Sequence, residues 1–266
     1  MSNTRICTTN RAIGATILNG TGGSAPPLDE VSPYTMAQAL TADRYTPWMA
    51  TNPFGSGSPF SFDLDLGANR TIDAAAFLGY RPATTAGNSV LTVTVYSATS
   101  AVGYPPVSGG SWTSRGTISV SGAAWRDIGS AITSSNSRYF RFEMLNGGVG
   151  WSLGKLFLGQ LTDLGAIHSP GGLFSPFRNR LETPQPGGAI VLQDLGDPSA
   201  DFTLPFRTIQ TSLRDTLANL QGQASTFLLV DAEDRFFEVF IVNGRVAVTR
   251  QYTSIFDVDM QLKAMP

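Results

Sequence analysis

The sequence predicts a mainly β protein, an antiparallel β-sandwich followed by a smaller β-sandwich that carries one α-helix. Three observations support this fold class. Apolar and polar residues alternate over many short runs, which is typical of strands with one buried face. The 266 residues include 28 Gly and 16 Pro, which suits an architecture with many turns. A single segment near residue 210 has the leucine spacing of a helix.

The first half of the chain shows the strand pattern most clearly. FSFDLDLG at residues 60–67 alternates Phe and Leu with polar residues, and we expect this strand to end at Gly67. TIDAAAFLGY at 71–80 follows as a separate strand after a short turn. Three further runs have strand character, at residues 89–98, 138–145 and 152–159. An antiparallel sandwich is the simplest fold for such a series.

The composition changes near residue 161. Four prolines and five glycines fall within residues 161–188, which indicates a linker or an arm that lies over a neighbour. We therefore divide the chain into a first domain at 1–162, a Pro/Gly-rich linker or arm at 163–188 and a second domain at 189–266.

The second domain has both strand and helix patterns. We predict a helix over residues 208–221, because four apolar residues share one helical face: Ile209, Leu213, Leu217 and Leu220. The tripeptide NGR at 243–245 joins two β-rich runs and predicts a hairpin turn. The alternation after residue 254 predicts a last strand.

Charge and hydropathy exclude several classes of function. The 18 basic and 20 acidic side chains give a net charge of −2, without the basic surface that nucleic-acid binding requires. The sequence contains no run of 18 apolar residues, so we expect no transmembrane helix. The N-terminus lacks the pattern of a signal peptide. The single cysteine cannot form an internal disulfide, which suits synthesis in a reducing compartment.

Residue types that carry catalysis are few and scattered. The only histidine, His168, lies in the Pro/Gly-rich segment without a nucleophile motif, and we interpret it as a polar linker residue. Cys7 has no second thiol near it, and zinc ligands are too few. Asp63 and Asp65 have the i, i+2 spacing that puts both on one solvent face of a strand. We predict no enzymatic activity, no metal and no cofactor.

Five segments in order resemble the discoidin-type, galactose-binding-like jelly roll. They are MAQALTADRYTPW, FSFDLDLGANRTIDAAAFLGY, LTVTVYSA, SRYFRFEM and GKLFLG, and the resemblance covers roughly residues 10–160. Trp48 is large enough to close one end of a small sandwich, and Tyr45 is expected to pack with it. Asp43 and Thr46 are expected to make hydrogen bonds within their own loop.

Two arginines have a structural role in this interpretation. Arg138 or Arg141 is expected to cover apolar surface with its aliphatic stem while its guanidinium caps loop carbonyls. The resemblance also implies a calcium beside Asp43 that an acidic residue of the closing strand completes. Lys155 stands at about that closing position, and a cation beside another cation is unfavourable, so we predict no calcium.

The resemblance further implies a sugar site on the loops. Arg81 and Asn88 follow the third strand motif at the positions where sugar-binding members carry Arg and Asn. Tyr104 and Trp112 are candidate aromatic contacts for a glycan.

The C-terminal half resembles the tail-tube-derived modules of bacteriophage tail-tip and distal-tail proteins. The segments that carry this resemblance are FSPFRNRLETP, FTLPFRTIQTSLRDTLANL and the final run from STFLLVDAEDRFF to DVDMQLK. The resemblance implies a hexameric or trimeric ring that contacts other tail proteins, namely the tube, the hub and the tape measure.

The two resemblances together lead to one main prediction and two alternatives. The main prediction is a virion structural protein of a phage tail, made in the bacterial cytoplasm, with a decorating jelly roll that contacts host glycans. The first alternative is a carbohydrate- or receptor-binding module without a ring-building role. The second is an accessory domain of a secreted bacterial enzyme complex, which the missing signal peptide disfavours.

Overall fold

A computed structural model provides the structure of the chain. It describes residues 3–18, 33–50, 60–82, 90–99, 112–121, 126–146, 151–164, 173–177, 180–184, 190–194, 199–220, 226–231 and 234–265. The elements in chain order are β1 Arg5–Cys7, β2 Thr16–Leu18, α1 Met36–Ala39, β3 Trp48–Ala50, β4 Phe60–Pro82, β5 Val90–Ala98, β6 Thr113–Ser121, β7 Arg126–Asn146, β8 Trp151–Leu153, β9 Lys155–Gly159, β10 Thr162–Asp163, β11 Leu173–Phe177, β12 Arg180–Pro184, β13 Ile190–Asp194, β14 Ser199–Gln210, α2 Thr211–Leu220, β15 Phe227–Val230, β16 Phe236–Tyr252 and β17 Ile255–Ala264.

The chain forms two compact units. The jelly-roll unit consists of Thr9–Thr162 together with Asp234–Phe236, and the second unit of Met1–Thr8, Asp163–Glu233 and Phe237–Pro266. Every strand pair with a described register is antiparallel, so the predicted fold class, a mainly β antiparallel protein, is confirmed.

In the jelly-roll unit, the described residues form a sheet in the order β3-β8-β4-β7-β5-β6, with β2 and β9 also paired to β4. The long strands β4 and β7 lie at the centre of this sheet. Phe62 of β4 lies opposite Phe142 of β7, and their rings stack with centroids 5.0 Å apart. Trp48 is fully buried and meets Phe62 edge to face at 5.5 Å. Aromatic packing of this kind anchors the core of the sandwich.

Gly67 does not end its strand, contrary to our prediction. β4 continues from Phe60 to Pro82, and its register against β7 shifts between Asp65 and Arg70. Gly67 has a φ of +75° in this irregular stretch, a conformation that glycine adopts without strain. The two runs predicted as separate strands are therefore one strand interrupted by a bulge. A glycine within a strand pattern can mark either the end of a strand or a bulge.

In the second unit, seven described strands form a sheet in the order β10-β1-β15-β16-β17-β14-β11, and β12 pairs with β13. The alternating residues of β17 are buried as the sequence pattern predicts, and they pack on α2 and β14: Phe256, Val258, Met260 and Leu262. This unit has an apolar core of its own.

Two segments lie outside the domain boundaries that the sequence predicts. β1 pairs with β15, from Arg5 opposite Val230 to Cys7 opposite Leu228, so the first eight residues belong to the second unit. The predicted linker or arm contains β11, which pairs with β14, and β12, which pairs with β13. Local composition could not reveal the pairing of β1 with β15, because the two strands are distant in sequence.

The helix is shorter than predicted, and the hairpin lies elsewhere. α2 begins at Thr211, because Ile209 and Gln210 still pair with β17 as part of β14. The NGR tripeptide is not a hairpin turn, since β16 runs through it and its register against β17 shifts between Ile241 and Val246. The turn lies at residues 253–254, between β16 and β17.

Candidate functional site

Two arginine–carboxylate pairs link neighbouring strands on one face of the jelly-roll sheet. Arg141 of β7 lies opposite Asp63 of β4 and donates two hydrogen bonds to it, at 2.7 and 2.8 Å. Arg138 donates two to Asp65, both at 2.6 Å. In each pair the two nitrogens of one guanidinium meet the two oxygens of one carboxylate, which is the strongest geometry for such a contact.

The burial of these pairs differs from our prediction of two solvated carboxylates. Asp63 has no exposed side-chain surface, whereas Asp65 retains 15%. A buried carboxylate is stable only when it is paired, and Arg141 provides that pairing. The predicted role of the two arginines as caps of loop carbonyls does not describe these contacts, because both guanidinium groups bind carboxylates.

The Asp65–Arg138 pair shifts the titration of both partners. The hydrogen bonds from Arg138 hold the pKa of Asp65 below its ordinary value, and the backbone N–H of Gly67 adds to the effect. The same contact raises the pKa of Arg138. Both groups are therefore charged at neutral pH.

The Arg141 guanidinium also lies over the ring of Trp112, 4.6 Å from the ring centroid. Trp112 immediately precedes β6, and β5 separates β6 from β7 in the sheet, so the arginine side chain reaches across one strand. Asp63 fixes the guanidinium, and the guanidinium in turn holds the half-buried indole by a cation–π contact.

The loop at residues 41–47 is ordered by its own side chains. Asp43 accepts hydrogen bonds from the backbone N–H of Tyr45 at 2.8 Å and from the hydroxyl of Thr46 at 2.9 Å. These two bonds hold the pKa of Asp43 below its ordinary value, and the Lys155 ammonium also lowers it by attraction. Tyr45 is 63% exposed, so our prediction that it packs with Trp48 in the interior is wrong.

A buried ion pair that the sequence did not suggest holds the same loop against the sheet. Arg44 donates to Asp127 at 2.9 Å, and the backbone N–H of Gly79 donates to the same carboxylate at 2.9 Å. The Arg44 side chain is only 2% exposed. A Cβ at Gly154 would lie 2.6 Å from the Arg44 carbonyl oxygen, so the close approach of loop and strand requires glycine there.

The residues at this position do not fit the calcium that the jelly-roll resemblance implies. The closing position carries the Lys155 ammonium, which is 4% exposed, instead of a carboxylate. Both oxygens of Asp43 already accept hydrogen bonds within the loop. Across the part of the chain that the structure describes, no three His, Cys, Asp or Glu side chains form a group able to hold a metal ion.

The four predicted glycan contacts precede or follow β5 in the sequence. Arg81 lies near the end of β4, opposite Ser152 of β8, and Asn88 precedes β5. Tyr104 and Trp112 follow β5, whose nine residues span roughly 27 Å. The side chain of Arg81, and all of Asn88 and Tyr104, lie outside what the structure describes. The grouping of the four residues into one site stays a prediction.

The loop that carries Tyr45 leads into a strand that pairs close to Arg81. β3, which follows the loop, pairs with β8 so that Met49 lies opposite Ser152, and Ser152 lies in turn opposite Arg81. Sequence reasoning assigned Tyr45 to packing because its neighbour Trp48 is a packing residue. The only sequence signal for an exposed Tyr45 was the presence of an aromatic residue within a polar loop.

The chain is similar to several solved structures, among them three carbohydrate-binding modules. Chitosan-binding module 1 of a Paenibacillus chitosanase/glucanase has 16% identity and a TM-score of 0.41, over 57% of this chain and 99% of the module. Module 2 of that enzyme, solved with chitotriose, has 16% identity and a TM-score of 0.40, over 57% and 100%. CBM32-3 from a family 31 glycoside hydrolase of Clostridium perfringens has 18% identity and a TM-score of 0.37, over 50% and 86%.

Sequence comparisons are negative. No protein-family model matches the chain, and no curated protein matches it. The comparisons give no evidence for the predicted tail-tube resemblance of the C-terminal half. Within the described residues, no helix has the length and apolar character needed to cross a membrane.

Proposed function

We propose that the jelly-roll unit is a non-catalytic carbohydrate-binding module whose ligand contacts Tyr45 and Arg81. The observation that carries the proposal is the 63% exposure of Tyr45 on a loop that three sets of contacts make rigid. These are the hydrogen bonds to Asp43, the Arg44–Asp127 ion pair and the tight approach to Gly154.

A rigid, exposed phenol suits sugar binding for a physical reason. Tyrosine offers a large amphipathic surface with few rotatable bonds, so little conformational entropy is lost when a ligand covers it. The apolar face of a pyranose can pack on the ring, and a guanidinium such as that of Arg81 can donate hydrogen bonds to ring hydroxyls. The nearby charges of Arg44 and Asp127 neutralise each other, which leaves the loop suited to a neutral ligand.

The experiment is a glycan array followed by calorimetric titration of the best oligosaccharide. We expect Tyr45→Ala and Arg81→Ala each to weaken binding roughly tenfold or more, since one lost contact of about 1.4 kcal/mol corresponds to a factor of ten. Tyr45 is mainly exposed, so its removal leaves the fold intact, and the melting temperature provides the control.

Trp112→Ala is the comparison variant, because Trp112 is the predicted aromatic contact that lies before β6, against the Arg141 guanidinium. We expect it to bind the same oligosaccharide with unchanged affinity. Loss of binding in Trp112→Ala, with full affinity in Tyr45→Ala, would move the site to Trp112. An array without any ligand would remove the proposal.

The second candidate is the ring-forming subunit of a phage tail tip, located in the virion. This candidate rests on the sequence resemblance of the C-terminal half to tail-tube-derived modules, and the second unit has a seven-stranded sheet and an apolar core of its own. Light scattering on the purified protein tests this candidate, which requires a trimer or hexamer. A monomer at all concentrations would leave only the binding module.

A further inference from the structure

Lys155 has an unusual position for a lysine. The sequence contains only two lysines, Lys155 and Lys263, and Lys155 is 4% exposed in the jelly-roll unit. It lies at the start of β9, opposite Leu78 of β4, and it follows Gly154, which is the residue against which the 41–47 loop packs. A charged ammonium in such a place requires negative or polar partners, because an isolated buried charge is very unfavourable.

The 41–47 loop offers such a partner. Asp43 is the acidic residue of this loop, and attraction to Lys155 is one of the causes of its lowered pKa. The carbonyl of Arg44 also points at the Gly154 position directly before Lys155. A carboxylate beside a buried cation is the kind of partner that a hard metal ion would otherwise require here.

We propose that the Lys155 ammonium permanently occupies the cation position of the 41–47 loop, so that the jelly roll folds without a divalent metal. A lysine ammonium is a compact point charge, and its four-carbon stem can reach the loop from β9. The positive charge that a bound calcium ion would supply in a jelly roll of this type is supplied here by a side chain of the protein. This inference does not depend on sugar binding.

The first test uses the wild-type protein. Its melting temperature should be the same in millimolar calcium chloride and in excess chelator, because a ligand that does not bind the folded state cannot stabilise it. A saturable increase with calcium would overturn the proposal. Amine-specific acetylation followed by mass spectrometry should modify Lys263 before Lys155, in chelator as well as in calcium.

The second test converts the position into a metal site. Lys155→Glu places two carboxylates side by side, and their repulsion should lower the melting temperature in chelator by roughly 5 °C or more. Calcium should restore part of this loss in a saturable manner, because a divalent cation relieves the repulsion between the two carboxylates. Lys155→Gln should also be less stable, but calcium should not restore it.

Lys263→Glu in β17 is the matched control, because it makes the same charge change in the second unit. Its melting temperature should not respond to calcium. Equal calcium responses of Lys155→Glu and Lys263→Glu would show that position 155 is not a cation position. If Lys155→Glu does not fold, the wild-type titration and Lys155→Gln still decide the proposal.

Discussion

The two units of the chain differ in what they bury. Among the described residues, the jelly-roll unit buries three charged side chains, those of Arg44, Asp63 and Lys155. Among the described residues of the second unit, the one buried charged side chain is that of Glu238, whose carboxylate accepts a hydrogen bond from Thr226 at 2.5 Å. Buried charge is thus concentrated in the jelly-roll unit, where ion pairs hold a loop and surface side chains in place.

The difference indicates two ways of stabilising a β fold. Apolar packing is strong but not directional, so it stabilises the second unit without fixing individual side chains. A bidentate ion pair is directional, and two of those in the jelly roll order something further. Asp63 and Arg141 hold Trp112, and Asp127 and Arg44 hold the loop that presents Tyr45. Substitutions in each unit can test this contrast.

The largest effect is expected from Arg141→Ala. Removal of the guanidinium leaves the fully buried Asp63 without its arginine, which should cost about 3–5 kcal/mol of unfolding free energy. Denaturant unfolding of the jelly-roll transition measures the loss. The double variant Asp63→Leu with Arg141→Met should recover most of it, because apolar side chains of similar size replace a buried pair well. A double variant as unstable as the single one would contradict this account.

A smaller effect, confined to the second unit, is expected from Leu217→Ala. Leu217 of α2 is fully buried, and its truncation should cost about 2–4 kcal/mol through lost burial and a cavity. Calorimetry should show that only one of two transitions moves. Asn219→Ala on the exposed side of α2 is the control, with a change within about 0.5 kcal/mol. Equal shifts of both transitions would contradict the independence of the two cores.

The smallest effect concerns pH. The folded-state pKa of Asp65 is lowered, so its contribution to stability is complete above the unfolded pKa near 4. The contribution is then lost as the pH falls through the folded pKa. Melting temperatures between neutral and strongly acidic pH should therefore decline less steeply for Asp65→Asn than for wild type. Adding Asp43→Asn, whose aspartate also has a lowered pKa, should flatten the profile further, and parallel profiles would disprove the assignment.

Sequence reasoning reached the strands more reliably than the site, for a physical reason. Apolar and polar residues alternate in β5 and β17 because alternate side chains of each strand are buried, so this pattern is visible within the strand itself. The pairing of Asp63 with Arg141 depends on the register of two strands 78 residues apart, and no local pattern encodes it. For the same reason Arg44 was overlooked, because its partner Asp127 lies 83 residues away.

The position of β1 has a consequence for how the chain folds during synthesis. β1 precedes the jelly roll in the chain, whereas its partner β15 follows residues 9–162 of that unit. Residues 9–162 are therefore complete before β15 is made, and they bring their own two ends together, since the backbone N–H of Arg11 donates to the Leu158 carbonyl at 2.7 Å. That closure keeps residues 8 and 163 near each other, so the later pairing of β1 avoids most of the entropy of closing a long loop. The jelly roll is thus an insertion within a discontinuous unit, and we expect its folding to assist completion of the sheet that contains β1 and β15.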